Sequence, residues 1–132
     1  MAYAVGIGLA VLTVILARVV GLDRDRVFYT TLVIVVAHYY VLFAVMGGST
    51  RALVVESIVM TAFVAIAVIG FKFNVWVIVG GLAGHGIFDF VHGNLVTNPG
   101  VPAWWPAFCL AFDVTAAAAL AWFTFRRSRD TA

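Results

Sequence analysis

The segment "GHGIFDFVHGN", residues 84–94, carries two histidines and an aspartate within an otherwise apolar part of the chain. His85, Asp89 and His92 follow one another at spacings of four and three residues. On an α-helix they would lie within about 60° of one another, on one face. Imidazole and carboxylate groups together suit zinc, iron or manganese. The spacing therefore predicts a metal-binding strip on one helix, and the alternative interpretation is hydrogen bonding between helices.

Three further titratable groups lie in apolar segments: His38, Glu56 and Asp113. We expect His38 to be a fourth metal ligand. Asp113 and Glu56 are the predicted catalytic groups, acting as general acid or base, completing the coordination or orienting a histidine. Each has a structural alternative, namely hydrogen bonding to a neighbouring helix or, for Glu56, an ion pair with Arg51. The single cysteine, Cys109, excludes an intrachain disulfide and a Cys-rich metal site, and we expect it to be a packing residue.

The composition indicates that these groups lie in a membrane protein. Hydrophobic residues make up 64% of the 132 residues, charged residues make up 11%, and the mean hydropathy is +1.10. A soluble domain is about half apolar and a quarter charged. Inserting an aspartate at the centre of a spanning helix costs roughly 2.5–3.5 kcal/mol, so such groups should face one another or a wet cavity. Basic residues do not cluster with aromatic residues as in nucleic-acid-binding proteins, so no nucleic-acid partner is expected.

The hydrophobic pattern predicts an all-α integral membrane protein, with residues 1–132 forming a single transmembrane domain. A spanning helix needs about 20 mainly apolar residues, and the chain divides into five such segments. The first segment lacks a charged region before its apolar run, so we expect a retained helix rather than a signal peptide. The predicted helices cover about residues 3–20, 27–46, 52–70, 75–93 and 103–125.

The basic residues predict the orientation in a cell membrane. With five spans, the first and third connections lie on the same side as the C-terminus. That side carries seven of the eight basic residues, and Arg51 lies on the other. The positive-inside rule then places the C-terminus in the cytoplasm and the N-terminus outside. The seven are Arg18, Arg24, Arg26, Lys72, Arg126, Arg127 and Arg129.

In this topology all six polar groups fall in the outer half of the bilayer, on helices two to five. His92 lies at the rim, Asp89 and Glu56 lie about one turn deep, and the others lie deeper, with Asp113 at roughly 15 Å for a rise of 1.5 Å per residue. These deeper groups are His38, His85 and Asp113. The fourth helix also carries Gly80 and Gly84 on a different face. This GxxxG pattern predicts close helix packing and a possible homo-oligomer.

The intramembrane histidines resemble those of the alkaline ceramidase and adiponectin-receptor superfamily, whose seven-helix members hold zinc within the membrane. The resemblance implies a zinc site and a lipid substrate. It covers only the polar groups, because the superfamily has an HxxxH pair and a Ser-x-x-x-His pair. This chain has "HGIFDFVH", no serine four residues before His38, and five predicted spans.

The leading hypothesis is metal-dependent chemistry on a lipid or isoprenoid substrate, by a hydrolase or another lipid-modifying enzyme. A zinc, iron or manganese ion would polarise a carbonyl or phosphoryl oxygen or activate a water, and Asp113 or Glu56 would move the proton. The expected partners are the lipid bilayer and a lipophilic small molecule. One alternative is a proton- or cation-conducting transporter or channel subunit. Another is a haem protein with His38 and His85 as axial ligands.

Overall fold

The computed structural model of the protein describes residues 1–130, with side chains up to residue 129, and these residues form an all-helical bundle. Residues 131 and 132 of the predicted domain lie outside the described part. Each of the five helices is long and apolar enough to cross a membrane, which confirms the predicted number of helices of spanning length among the described residues. The helices are α1 (Ala2–Val20), α2 (Val27–Met46), α3 (Thr50–Lys72), α4 (Val75–Leu95) and α5 (Trp105–Asp130).

The helix ends follow from local sequence signals. Gly21 ends α1 in a left-handed conformation (φ 83°), which glycine adopts without steric cost, and its amide donates to the carbonyl of Ala17. The side chain of Ser49 accepts a hydrogen bond from the amide of Ala52 at the start of α3. The side chain of Asn74 does the same for Trp76 at the start of α4. These caps account for the short turns between successive helices.

Helix α4 occupies the centre of the bundle. It packs against α5, α3 and α2, whereas α1 packs mainly against α5. It approaches α3 closely at the turn between them, where a Cβ atom on Gly70 would come within 2.6 Å of the side chain of Ile78. The residues on the inward face of α4 are therefore surrounded by three other helices.

The distribution of polar and apolar side chains is the reverse of that in a soluble protein. On α4, Asp89 is 0% exposed, whereas its neighbours Ile87 and Phe90 are 60% and 63% exposed. Large apolar side chains also cover the outer faces of the other helices. A surface of this kind is stable when its solvent is lipid, so the fold is consistent with a multi-pass membrane protein.

The predicted orientation can be tested by cysteine labelling in intact cells with a membrane-impermeant maleimide. Thr50 at the start of α3 and Arg129 near the end of α5 are both exposed and lie at opposite ends of the bundle. We expect Thr50→Cys to react in intact cells and Arg129→Cys to react only after lysis, because basic residues stay in the cytoplasm.

The wild-type chain is the control for this labelling, because its only cysteine is buried. The reverse pattern of labelling would contradict the predicted orientation.

Candidate metal centre

The predicted strip on α4 faces the interior of the bundle. His85, Asp89 and His92 are all buried, and all three side chains lie on the side of the helix that meets α2, α3 and α5. They do not form one site, however, because each histidine has a different acidic partner. The polar groups are divided into two clusters, one around His85 and one around His92.

The first cluster consists of His85, Asp89 and Asp113. The Nδ1 atom of His85 lies 2.7 Å from Oδ2 of Asp113 and 3.2 Å from Oδ2 of Asp89. One ligand atom from each residue can be chosen so that all three lie within 4.8 Å of one another. The sequence analysis placed His85 and Asp113 at a similar depth, and the short contact between α4 and α5 agrees with that expectation.

A glycine allows α5 to approach this cluster closely. A Cβ atom on Gly86 would lie 3.2 Å from the Cβ atom of Asp113 and 3.3 Å from the carbonyl oxygen of Leu110. Such contacts are tighter than ordinary van der Waals packing. The absence of a side chain at Gly86 therefore lets the carboxylate of Asp113 reach His85.

Three carboxylate oxygens of the first cluster are buried without a hydrogen-bond partner among the described residues. They are both oxygens of Asp89 and the Oδ1 atom of Asp113. Asp89 contacts Nδ1 of His85 at 3.2 Å, although this contact does not form a hydrogen bond. A buried carboxylate oxygen without a hydrogen bond is unfavourable, and a cation or a proton beside it would be stabilising. Together the three residues could hold a metal ion.

The second cluster joins His92, Glu56 and Asn98. The Nε2 atom of His92 lies 2.7 Å from Oε1 of Glu56. The side-chain amide of Asn98, in the α4–α5 connection, donates to the same oxygen and to the carbonyl of Tyr40, both at 3.0 Å. Glu56 thus pairs with His92 rather than with Arg51, the alternative considered from the sequence. The cluster ties the α4–α5 connection to α2 and α3.

Tyr40 lies between the two clusters. Its ring stacks on the imidazole of His92, with the ring centroids 4.0 Å apart and the planes 26° from parallel. Its buried hydroxyl makes no well-aligned hydrogen bond among the described residues, but it lies near enough to Asp89 to interact with that carboxylate electrostatically and as a donor. The sequence analysis did not select Tyr40 or the side chain of Asn98 as site residues. No signal in the sequence distinguished Tyr40 from Tyr39 beside it.

His38 is not brought to either cluster, which corrects its expected place among the metal ligands. Its side chain is exposed, and Nδ1 lies 2.6 Å from the carbonyl oxygen of Ile34 in the same helix. The inward face of α2 contains Val33, Val36 and Tyr40, and His38 lies off this face. The expectation rested on depth alone and did not include the rotation of α2. His38 is thus exposed whereas His85 is buried, and the bis-histidine haem site stays a prediction.

Cys109 is buried beside the first cluster. Its thiol interacts electrostatically with Asp89 and Asp113, but it is not part of the group of three that can surround one ion. Gly80 and Gly84 have no neighbouring atom within 4 Å of where a Cβ atom would lie. The predicted close packing at these glycines therefore does not occur within the described bundle, and the homo-oligomer stays a prediction.

Comparisons of the chain with protein-family models, curated proteins and solved structures found no match. The fold and the site together define a small membrane-type bundle of five helices that encloses a His–Asp–Asp cluster.

The role of Gly86 can be tested by adding a side chain there. We expect Gly86→Val to lower the thermal unfolding temperature of the detergent-purified protein, because overpacking costs about 1–3 kcal/mol. The matched control is Gly84→Val, two residues away on the same helix, where a Cβ atom meets no neighbour. Equal losses in the two variants would contradict a specific role for Gly86 in helix approach.

Because the two clusters are separate, we expect a substitution of His92 to lower stability without lowering the metal content, unlike a substitution of His85. Because leaving a buried polar group without its hydrogen bond costs about 1–3 kcal/mol, we expect His92→Ala and Glu56→Gln each to lower the unfolding temperature. Combining them should add little, since both remove the same contact. Metal content should remain unchanged in both single variants. Loss of metal from His92→Ala would show that the clusters form one site.

Proposed function

We propose that this protein holds one divalent metal ion within the membrane and uses it in chemistry on a lipophilic substrate, a lipid or an isoprenoid. The observation that carries the proposal is the buried group of His85, Asp89 and Asp113, in which one ligand atom from each residue lies within 4.8 Å of the others. The proposed ligands are these three residues. Zinc, iron and manganese are the ions that such a nitrogen and oxygen ligand set accepts.

Charge balance supports a divalent ion. As a metal ligand His85 must be neutral, so the first cluster, with both aspartates ionised, would carry two negative charges in a region of low dielectric constant. One divalent cation neutralises them, and it also satisfies the carboxylate oxygens that have no hydrogen bond. Two protons would neutralise the same charge, so metal binding should release protons and should be tighter at high pH than at low pH.

A cluster that binds protons instead of a metal ion would also suit a transporter, which is the alternative considered from the sequence. A conducting pathway needs polar groups on both sides of the cluster. Towards the basic end, however, the described core is made of apolar side chains, including Val33, Ile78, Leu82 and Leu120. This apolar layer favours a closed site over a continuous pathway.

A groove on the side of the bundle offers access to a lipophilic substrate. It has a volume of about 600 Å³ and lies between α1, α2 and α5. Its lining is almost entirely apolar and includes Leu32, Phe108 and Cys109. Since Cys109 also interacts with Asp89 and Asp113, the groove passes beside the first cluster. Trp104, just before α5, and Trp105, its first residue, line the groove and suit the membrane interface.

The residues around the site have separate roles in this proposal. A bound ion would supply the Lewis acidity that polarises a carbonyl or phosphoryl oxygen or a water. His85, Asp89 and Asp113 would hold the ion, and a carboxylate oxygen of Asp113 that is not bound to the ion would accept a proton. Glu56 would orient His92 rather than act at the ion, because its Oε1 atom is shared by His92 and Asn98.

The proposal is tested by elemental analysis of the purified protein together with an absorption spectrum. We expect near-stoichiometric zinc, iron or manganese in the wild type, without a Soret band. His85→Ala and Asp89→Asn should each lose most of the metal, because each removes a ligand. The matched control is His38→Ala, which removes a histidine whose side chain is exposed, and Arg51→Ala is a second control.

Full metal occupancy in both His85→Ala and Asp89→Asn would overturn the ligand assignment. A metal-free wild type after purification and incubation with each of the three ions would overturn the proposal itself. Circular dichroism of each variant separates loss of a ligand from loss of the helical fold.

A further inference from the structure

A second pocket lies at the basic end of the bundle, away from the His–Asp–Asp cluster. It has a volume of about 500 Å³ and forms where the α1–α2 turn meets α4, α5 and the end of α3. Its mouth is lined by Arg24, Arg26 and Arg127. Its interior is apolar and includes Ile78 and Leu120. A cationic mouth over an apolar interior is complementary to an anionic amphiphile.

The acidic residues at the mouth are already engaged. Oδ2 of Asp23 lies 2.7 Å from the guanidinium of Arg18, and Oδ1 of Asp25 accepts a hydrogen bond from the amide of Val27 at 2.9 Å. Asp23 is thus paired with Arg18, and Asp25 leaves one negative charge against the three arginines that line the pocket.

One arginine is available to a ligand. Arg26 donates to the carbonyl oxygen of Phe71 at 3.1 Å, and Arg127 donates to the carbonyl oxygen of Asp23 at 3.2 Å. Arg24, by contrast, is exposed and makes no hydrogen bond or ion pair within the described part of the chain. Its guanidinium lines the pocket and presents a planar set of donors that matches the oxygens of a phosphate group.

A buried hydroxyl in the pocket gives independent evidence for a ligand. Tyr29 is 2% exposed and lines the pocket, yet its hydroxyl has no hydrogen-bond partner among the described residues. It interacts electrostatically with Asp23, Arg18 and Arg127, so it lies among the charged groups of the mouth. Leaving a buried hydroxyl unpaired is unfavourable. A ligand oxygen in the pocket would accept its hydrogen bond.

We propose that this pocket binds the phosphate group of an anionic amphiphile, with Arg24 and Tyr29 as hydrogen-bond donors and the apolar chain lying beside Ile78 and Leu120. Basic pockets between transmembrane helices bind anionic lipid headgroups for the same electrostatic reason. The site is separate from the proposed metal centre, since the apolar core lies between them. It does not depend on the proposed function.

The test is a lipid titration of the full chain in neutral detergent, followed by thermal unfolding monitored through tryptophan fluorescence. We expect dioleoylphosphatidylglycerol to raise the unfolding temperature and dioleoylphosphatidylcholine to leave it unchanged. Arg24→Gln and Tyr29→Phe should each weaken the apparent affinity for phosphatidylglycerol about tenfold, as expected for one lost contact to a charged group. Tyr29→Phe keeps the ring and its packing, so its effect isolates the hydroxyl.

Arg129→Gln is the matched control, because it removes the same charge at the same end of the helix bundle but does not line the pocket. An equal loss in this control would show general surface attraction and overturn the proposal. Unchanged affinity in both Arg24→Gln and Tyr29→Phe would also overturn it. If inorganic phosphate alone produced the same stabilisation at the same concentration, the ligand would be a free phosphate and the amphiphile assignment would be wrong.

Discussion

The contact of His85 with two buried aspartates is the constraint on which the rest of the structure depends. Asp89 and Asp113 are both fully buried, and neither can face lipid without a large cost in free energy. Four helices of the bundle contribute to keeping the polar groups inside, and their outer surfaces are left apolar. The position of α4 at the centre follows from this requirement, since it carries three of the six intramembrane titratable groups.

The remaining polar contacts extend this arrangement towards the end of the bundle near the α4–α5 connection. Asn98 connects that segment to both Glu56 and the backbone of Tyr40. Tyr40 in turn packs its ring on His92 and places its hydroxyl near Asp89. The two clusters therefore have different polar partners, but Tyr40 contacts both of them. A change at the His92–Glu56 pair can alter the packing around the proposed metal centre without removing a ligand.

Much of this arrangement could be predicted from the sequence, because hydrophobic length and helical periodicity are local properties. From these two properties we predicted the five spans, the inward strip on α4 and the similar depth of His85 and Asp113. The rotation of α2 could not be predicted in this way, because its sequence is apolar on all sides and gives little indication of which face is buried. His38 was therefore selected instead of Tyr40. The division into two clusters depends on which helices touch, and no single-helix pattern contains that information.

The central claim is that His85, Asp89 and Asp113 together hold one divalent ion. X-ray absorption spectroscopy of the zinc-loaded, detergent-purified protein tests it most directly, because the spectrum reports the ligand atoms. The account predicts one nitrogen and several oxygen neighbours at about 2.0–2.2 Å, without sulfur. A sulfur neighbour at about 2.3 Å would place Cys109 in the coordination sphere and contradict the ligand set. A spectrum of hydrated zinc alone would contradict the metal centre itself.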